Sequence, residues 1–195
     1  MYREGEHITA LVTPAAVSPV SLDDMKEHLR VDGADENALI QAYINACASS
    51  LGSEGELGQA LTTETWDESF KNPPKDVYLS VLPARSIVSV TYYDRDNVQQ
   101  TATLSDFTLY SSDRWAFVRS DNWPGTYDRP DAITIRYTAG FGDDAADVPL
   151  EVVQAVKLIV AHWYQNRENT SELNMKEIPR AASHLLGLRR VGWYG

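Results

Sequence analysis

Apolar positions recur with two different periods along the chain, and the change of period divides it. From Val20, residues Leu22, Met25 and Leu29 fall at i, i+3 and i+7, which is one face of a helix. Ser21 stands where its hydroxyl can accept from an orphan backbone N–H, and Asp24 takes the capping-box position. Val20 and Met25 have the spacing of a hydrophobic staple. Asp32-Gly33-Ala34 predicts the end of this helix and Asp35 the cap of a second. The expected face of that second helix is Leu39, Ala42, Tyr43, Ala46, Cys47 and Leu51. Two helices joined by so short a turn make an αα-hairpin.

Near Leu61 the texture changes to alternation. Residues 62–70 are rich in β-branched and aromatic side chains, and Pro73-Pro74 breaks them off. Further strands are predicted at 77–81, 87–93, 107–110, 115–118 and 132–139, with a turn at Asp94-Arg95-Asp96-Asn97. Short strands punctuated by Pro, Gly and Asp imply an antiparallel sheet rather than βαβ units. Helical period returns after Pro149, a residue suited to a first turn. Leu150, Val153, Val156, Ile159, Val160, Trp163 and Tyr164 mark a long amphipathic face, and a shorter helix is predicted over 179–188. The fold class is therefore α+β: a helical bundle, made of the αα-hairpin, the long C-terminal helix and the short helix, with an inserted antiparallel β subdomain. The expected divisions are an N-terminal arm 1–19, the hairpin 20–60, the β subdomain 61–140, the C-terminal helices 141–188 and a tail 189–195.

Charge narrows the function. The 195 residues hold 17 Lys and Arg against 28 Asp and Glu, a formal net charge of −11. A groove that grips nucleic-acid phosphates needs the opposite sign, so stable DNA binding by this chain alone is disfavoured. The single cysteine, Cys47, rules out an intramolecular disulfide and falls on an apolar helix face, where an inert core thiol is expected. The start of the chain carries acids, and its apolar stretch around Ile8 to Val12 is too short for an export signal. With no apolar run of about 18 residues, a soluble protein made inside the cell is expected.

Candidate chemistry is sparse. Asp143, Asp144 and Asp147 could bind a hard cation, but they lack calcium-loop spacing and stand where acids favour the start of the next helix. His7, His28, His162 and His184 are isolated, and no nucleophile elbow or phosphate loop exists. Trp66, Trp115 and Trp123 with Tyr92, Tyr93 and Tyr110 allow a carbohydrate platform or, more simply, sheet core and subunit packing. No catalytic residue, cofactor site or metal site is therefore assigned. The C-terminal end is the stronger feature. Over 171–195, Lys176, Arg180, Arg189 and Arg190 face only Glu172 and Glu177, a net +2 on an acidic chain. Leu185, Leu186, Leu188, Arg189, Arg190, Trp193 and Tyr194 give it the composition of an interface hot spot. Docking on another chain and folding back on its own helices both remain open.

Several stretches together resemble phage head-tail connector proteins, also called head-completion or adaptor proteins, of long-tailed phages and gene transfer agents. They are residues 20–32 and 35–40 near the start, 82–94, 135–142 with Val148-Pro149, and 161–168. The closing Ile178-Pro179, Leu185-Leu186 and Arg189-Arg190 also match, so the resemblance spans about 20–191. It implies a structural virion protein and no enzyme. Such proteins form a ring, commonly twelvefold, beneath the portal, offer a surface to the tail-side stopper, and let DNA pass without specific binding. The partners implied are the portal protein, the stopper or another head-completion protein, and further copies of the chain, with no membrane. Assembly would take place in the host cytoplasm. A glycan- or protein-binding β module and an Asp-based hydrolase are the competing readings. The first predicts that Trp115, Trp123 and Tyr93 line an exposed platform.

Overall fold

A computed structural model describes residues 7–73, 75–166 and 178–189. Among these are four α-helices and two antiparallel sheets, an α+β architecture. The chain divides into two compact units, Met1–Ala15 with Thr63–Gly140 and Ala16–Thr62 with Phe141–Gly195.

The second of these units holds the helices. Helix α1, Leu22–Leu29, begins as its capping residues predict: Ser21 Oγ accepts from the Asp24 N–H at 3.1 Å and donates to Asp24 Oδ2 at 2.6 Å. Val20 and Met25 are both buried, consistent with the staple. The helix stops earlier than the Asp32-Gly33 punctuation suggests, because Arg30 adopts the left-handed conformation at φ 57°. From there Arg30 and Val31 donate to the Glu27 and Lys26 carbonyls that α1 leaves open. Helix α2, Asn37–Leu51, is not capped by Asp35; Glu36 holds the cap position without a side-chain cap bond. The Glu36 carboxylate accepts instead from the Tyr164 hydroxyl.

The buried face of α2 is Ile40, Ile44, Cys47 and Leu51, rotated from the expected one, and Ala42 and Ala46 are exposed. The reason is size. Two isoleucines remove far more apolar area from water than two alanines, so they set which way the helix turns. Helix α3, Leu150–Gln165, keeps Val156, Ile159, Val160 and Trp163 of its expected face, but Leu150 at its first turn is left out. The helix also buries Val152 and Ala155, while Leu150 is 70% exposed. Tyr43 meets Trp163 edge-on at 6.3 Å. The short helix α4, Arg180–Gly187, adds Ala182 and Leu186 to the same core.

The other unit holds the sheets. The larger runs β1-β2-β8-β4-β5, with β1 His7–Thr13, β2 Glu64–Phe70, β4 Ala84–Tyr93, β5 Gln99–Thr101 and β8 Ile133–Ala139. Central β8 buries every second residue, Ile133, Ile135, Tyr137 and Ala139. Opposite it β2 buries Trp66, Glu68 and Phe70 in register with Tyr137, Ile135 and Ile133. On the other face Arg136 makes two 2.7 Å bonds to Asp67, its partner across the ladder. The Asp94 turn closes β4 onto β5, with Asp94 Oδ1 accepting from the Asp96 and Val98 N–H groups at 3.0 Å. The second sheet is β3-β7-β6, from β3 Asp76–Tyr78, β7 Ala116–Arg119 and β6 Thr108–Ser111. Neither β1 nor β5 is among the elements that the pattern predicts. The described residues contain no helix long and apolar enough to cross a membrane.

Candidate assembly surfaces

The expected C-terminal contact residues divide by position. On α4, Leu186 is fully buried and Leu185 half-buried, while Leu188, just past the helix, is 55% exposed. Arg189 donates to the Glu151 carboxylate at the start of α3, and its guanidinium lies 5.6 Å from the Phe141 ring centre. The Glu151 backbone N–H, and then Arg189, hold that carboxyl below the usual carboxylate range. The ion pair ties the end of α4 to the start of α3, so exposed Leu188 and Leu150 each adjoin one of its members. Arg190, Trp193 and Tyr194 lie outside the described residues.

A second surface covers the outer face of the sheet β3-β7-β6. Val77 and Val118 point inward, so their neighbours Tyr78, Phe117 and Arg119 point out. The ladder aligns Tyr78, Phe117 and Tyr110 in one row and Asp76, Arg119 and Thr108 in the next. Tyr110 stacks on Phe117 at 4.9 Å and 17°, and Trp115 stacks on it at 5.8 Å and 22°. At such spacing near-parallel rings are offset-stacked instead of lying flat side by side, so the row is a ridge. Tyr78, Tyr110 and Trp115 are 54%, 41% and 49% exposed. Arg119 holds Asp76 through bonds of 2.6 and 2.7 Å and sits over the Phe117 and Tyr110 rings. That bidentate contact keeps the Asp76 carboxyl below its ordinary range.

Of the expected platform, Trp115 and Tyr110 join this ridge. Trp123 packs on Phe107 at 5.1 Å, Tyr93 lies 3.6 Å beneath the Arg129 guanidinium, and Trp66 is buried. Tyr78, Phe117 and Arg119 were not among the expected residues. Their signal, period-two aromatics on three strands, becomes visible only once the cross-strand register is known.

One polar cluster is hidden inside the larger sheet's unit. Glu68 is fully buried and accepts from the Ser80 N–H at 2.9 Å, the Ser80 hydroxyl at 2.6 Å and the Tyr137 hydroxyl at 3.1 Å. His7 Nε2 lies 3.5 Å from Glu68 and 3.2 Å from Ser80 Oγ. Burial raises the Glu68 carboxyl, and burial likewise raises the Tyr137 phenol. Serine, histidine and an acid meet here, but not as a nucleophilic triad. The serine hydroxyl donates to the acid, and His7 Nδ1 is buried with no hydrogen-bond partner among the described residues. The cluster fastens the first residue of β1 and the segment around Ser80 to the sheet.

Of the remaining candidates, Cys47 lies in the helical core and Asp144 and Asp147 in a turn. Burial pushes the Cys47 thiol up to about 12. Asp147 Oδ2 accepts from the Asp144 N–H at 3.1 Å, in the turn before α3. Among the described residues no three His, Cys, Asp or Glu side chains come together to hold a metal.

This architecture has known relatives. The chain is similar in fold to a chain of the neck of an empty gene transfer agent particle, computed with C6 symmetry. The TM-score is 0.77 at 18% identity, over 95% of this chain and 96% of that one. A chain from the virion of a native gene transfer agent particle gives 0.75 at 18% identity, with the same coverage. One from a native neck computed with C12 symmetry gives 0.69 at 17% identity, again over 95% and 96%. No curated protein matches. The sequence profile of the head completion proteins matches residues 20–175, and the chain belongs to that family, the head-tail connectors of phages and gene transfer agents.

Proposed function

We propose that this chain is a structural connector, without catalysis, that forms a ring beneath the portal at the head-tail junction of a virion. The reading is carried by family membership together with a fold shared over nearly the whole chain with neck proteins. The four helices form the bundle that packs side by side around the ring, and residues 61–140 are its inserted β subdomain. In a ring of twelve, the formal charge is on the order of −130, which repels phosphates and lets DNA slide. The portal is the partner of the C-terminal end. Leu188 and Arg189, beside Leu150 at the joined ends of α3 and α4, start the docking surface, and Arg190, Trp193 and Tyr194 extend it. Leu185 borders that surface, whereas Leu186 holds α4 in place from within.

The Trp115 ridge is assigned to a protein neighbour rather than to a sugar. The platform expected for a sugar is not assembled, because Trp123 packs on Phe107 and Tyr93 lies beneath Arg129.

The test is the mass of the native protein, alone and with portal, for the parent, for Leu188→Asp and for a chain ended after Arg189. Deleting all of 171–195 would remove Ala182 and Leu186 from the core. The parent is expected to form a multi-subunit ring or a portal complex. Each variant should keep its circular dichroism and weaken portal binding about tenfold or more, the effect of losing about 1.4 kcal/mol. A monomer that ignores portal overturns the connector reading, and unchanged portal binding by both variants overturns the docking assignment.

A further inference from the structure

Strand β1 is weakly anchored in the sheet that it completes. Only His7 of its seven residues is half-buried, and residues 8–13 are all exposed, with Ile8 at 52% and Leu11 and Val12 at 40%. A strand normally gains stability from a face packed on the core. This one has its ladder to β2 and the His7 contacts with Glu68 and Ser80. Its far edge has no neighbour among the described residues. Exposed edges are usually guarded by brevity, charge or proline. The opposite edge, β5, is three residues long. β1 is seven, uncharged apart from His7, and rich in Ile, Leu, Val and Thr.

The segment after β1 matters equally. Pro14, Ala15 and Ala16 are exposed, and proline keeps the residue before it extended. From Val17 the chain is tied to the helical unit, where Thr62 Oγ1 donates to the Val17 carbonyl at 2.6 Å. A short, stiff hinge thus separates a weakly packed strand from a firmly held segment.

We propose that β1 is exchanged between copies: in the assembled ring, residues 7–13 of one copy pair with β2 of the next, so that each copy closes its neighbour's sheet. This rests on the ring reading above. Exchange preserves every ladder bond and the His7 contacts, so only the path of the hinge changes. It is also directional. Each copy gives a strand to one neighbour and takes one from the other, the head-to-tail contact that a ring requires. Two open β1 edges pairing with each other would be a two-fold contact and would stop at a dimer.

Ile8 and Ser69 face each other across the β1–β2 ladder. The double variant Ile8→Cys/Ser69→Cys is assembled under reducing conditions, its ring is isolated by mass, and the thiols are then oxidised. Cys47, buried with its thiol pushed up to about 12, does not compete. Exchange predicts covalent chains of several copies on a denaturing, non-reducing gel. A ring whose disulfides all close within single copies overturns exchange and leaves the ring standing. Failure to form any ring overturns both. Should the double variant misfold, the two single variants mixed one to one decide the matter, since linked pairs then arise only by exchange and their absence from an oxidised ring refutes it.

Discussion

Replacing Tyr137 by phenylalanine removes a single oxygen from the centre of the larger sheet. The ring is fully buried and phenylalanine keeps its apolar volume, so the change isolates the hydroxyl. That hydroxyl donates to Glu68 Oε2 at 3.1 Å and accepts from the Val81 N–H at 3.1 Å. A hydrogen bond to a charged group contributes about 1.5–3 kcal/mol, and a buried N–H left without an acceptor costs about 1–3 kcal/mol. Because both losses come from one atom they do not simply add, and about 3 kcal/mol is expected. Trp66 stands opposite Tyr137 in the ladder and is 3% exposed, so with the other four tryptophans replaced by phenylalanine in every variant its fluorescence reports this sheet. In urea, with a slope of about 1–3 kcal/mol per molar, the midpoint should fall by about 1–3 M. Tyr110→Phe is the control, since an exposed hydroxyl should matter by no more than about 0.5 kcal/mol. If Tyr137→Phe unfolds at the same urea concentration as that control, the Glu68 network does not stabilise the sheet and the reasoning fails.

Four further outcomes are expected. Burial raises Glu68 above its unfolded pKa, so its contribution is fully present below the ordinary carboxylate value and is lost as pH rises through the raised folded value. Glu68→Gln should flatten that part of the urea-midpoint profile, and a variant with the parent's slope would refute the assignment. Glu151 titrates oppositely: its backbone N–H and Arg189 lower it, so its contribution is lost as pH falls through the lowered value, and amides of α4 should lose protection relative to their intrinsic exchange rates. A Cβ at Gly142 would lie 2.0–2.3 Å from Asp147 side-chain atoms, so Gly142→Ala should cost about 1–3 kcal/mol, visible as a lower melting temperature. Cys47 should resist thiol reagents at neutral pH until the helical core unfolds, as a reagent titration against urea would show.

Much of this was legible in the residues. Ser21 capping α1 and the Asp94 turn are local, since each needs only neighbours within a few residues. Cys47 and Leu51 lie on the α2 face as expected, but counting alanine and isoleucine alike puts Ala42 and Ala46 there in place of Ile40 and Ile44, whereas burial weighs them by area. Strand β1 leaves almost no pattern, because residues exposed on both faces show no alternation. Glu68 did leave one: Trp66, Glu68 and Phe70 share a face, so an acid stood in a buried register. The residues that hold it, Ser80 and Tyr137, lie 12 and 69 positions away and could not be read locally. The ridge of Tyr78, Phe117, Tyr110 and Trp115 failed to emerge for the same reason, as register between strands is a tertiary fact.

The helical core draws on both ends of the chain, and this gives it a history during synthesis. Ile40, Ile44, Cys47 and Leu51 find their cover in Val152, Val156 and Ile159, about a hundred residues later. At about 5–20 residues per second, the ribosome leaves the α1–α2 hairpin incomplete for roughly 5–20 seconds. Strands β2 to β8 emerge in that interval and can pair before α3 exists. The nascent hairpin is therefore the stage at which a chaperone has most to shield.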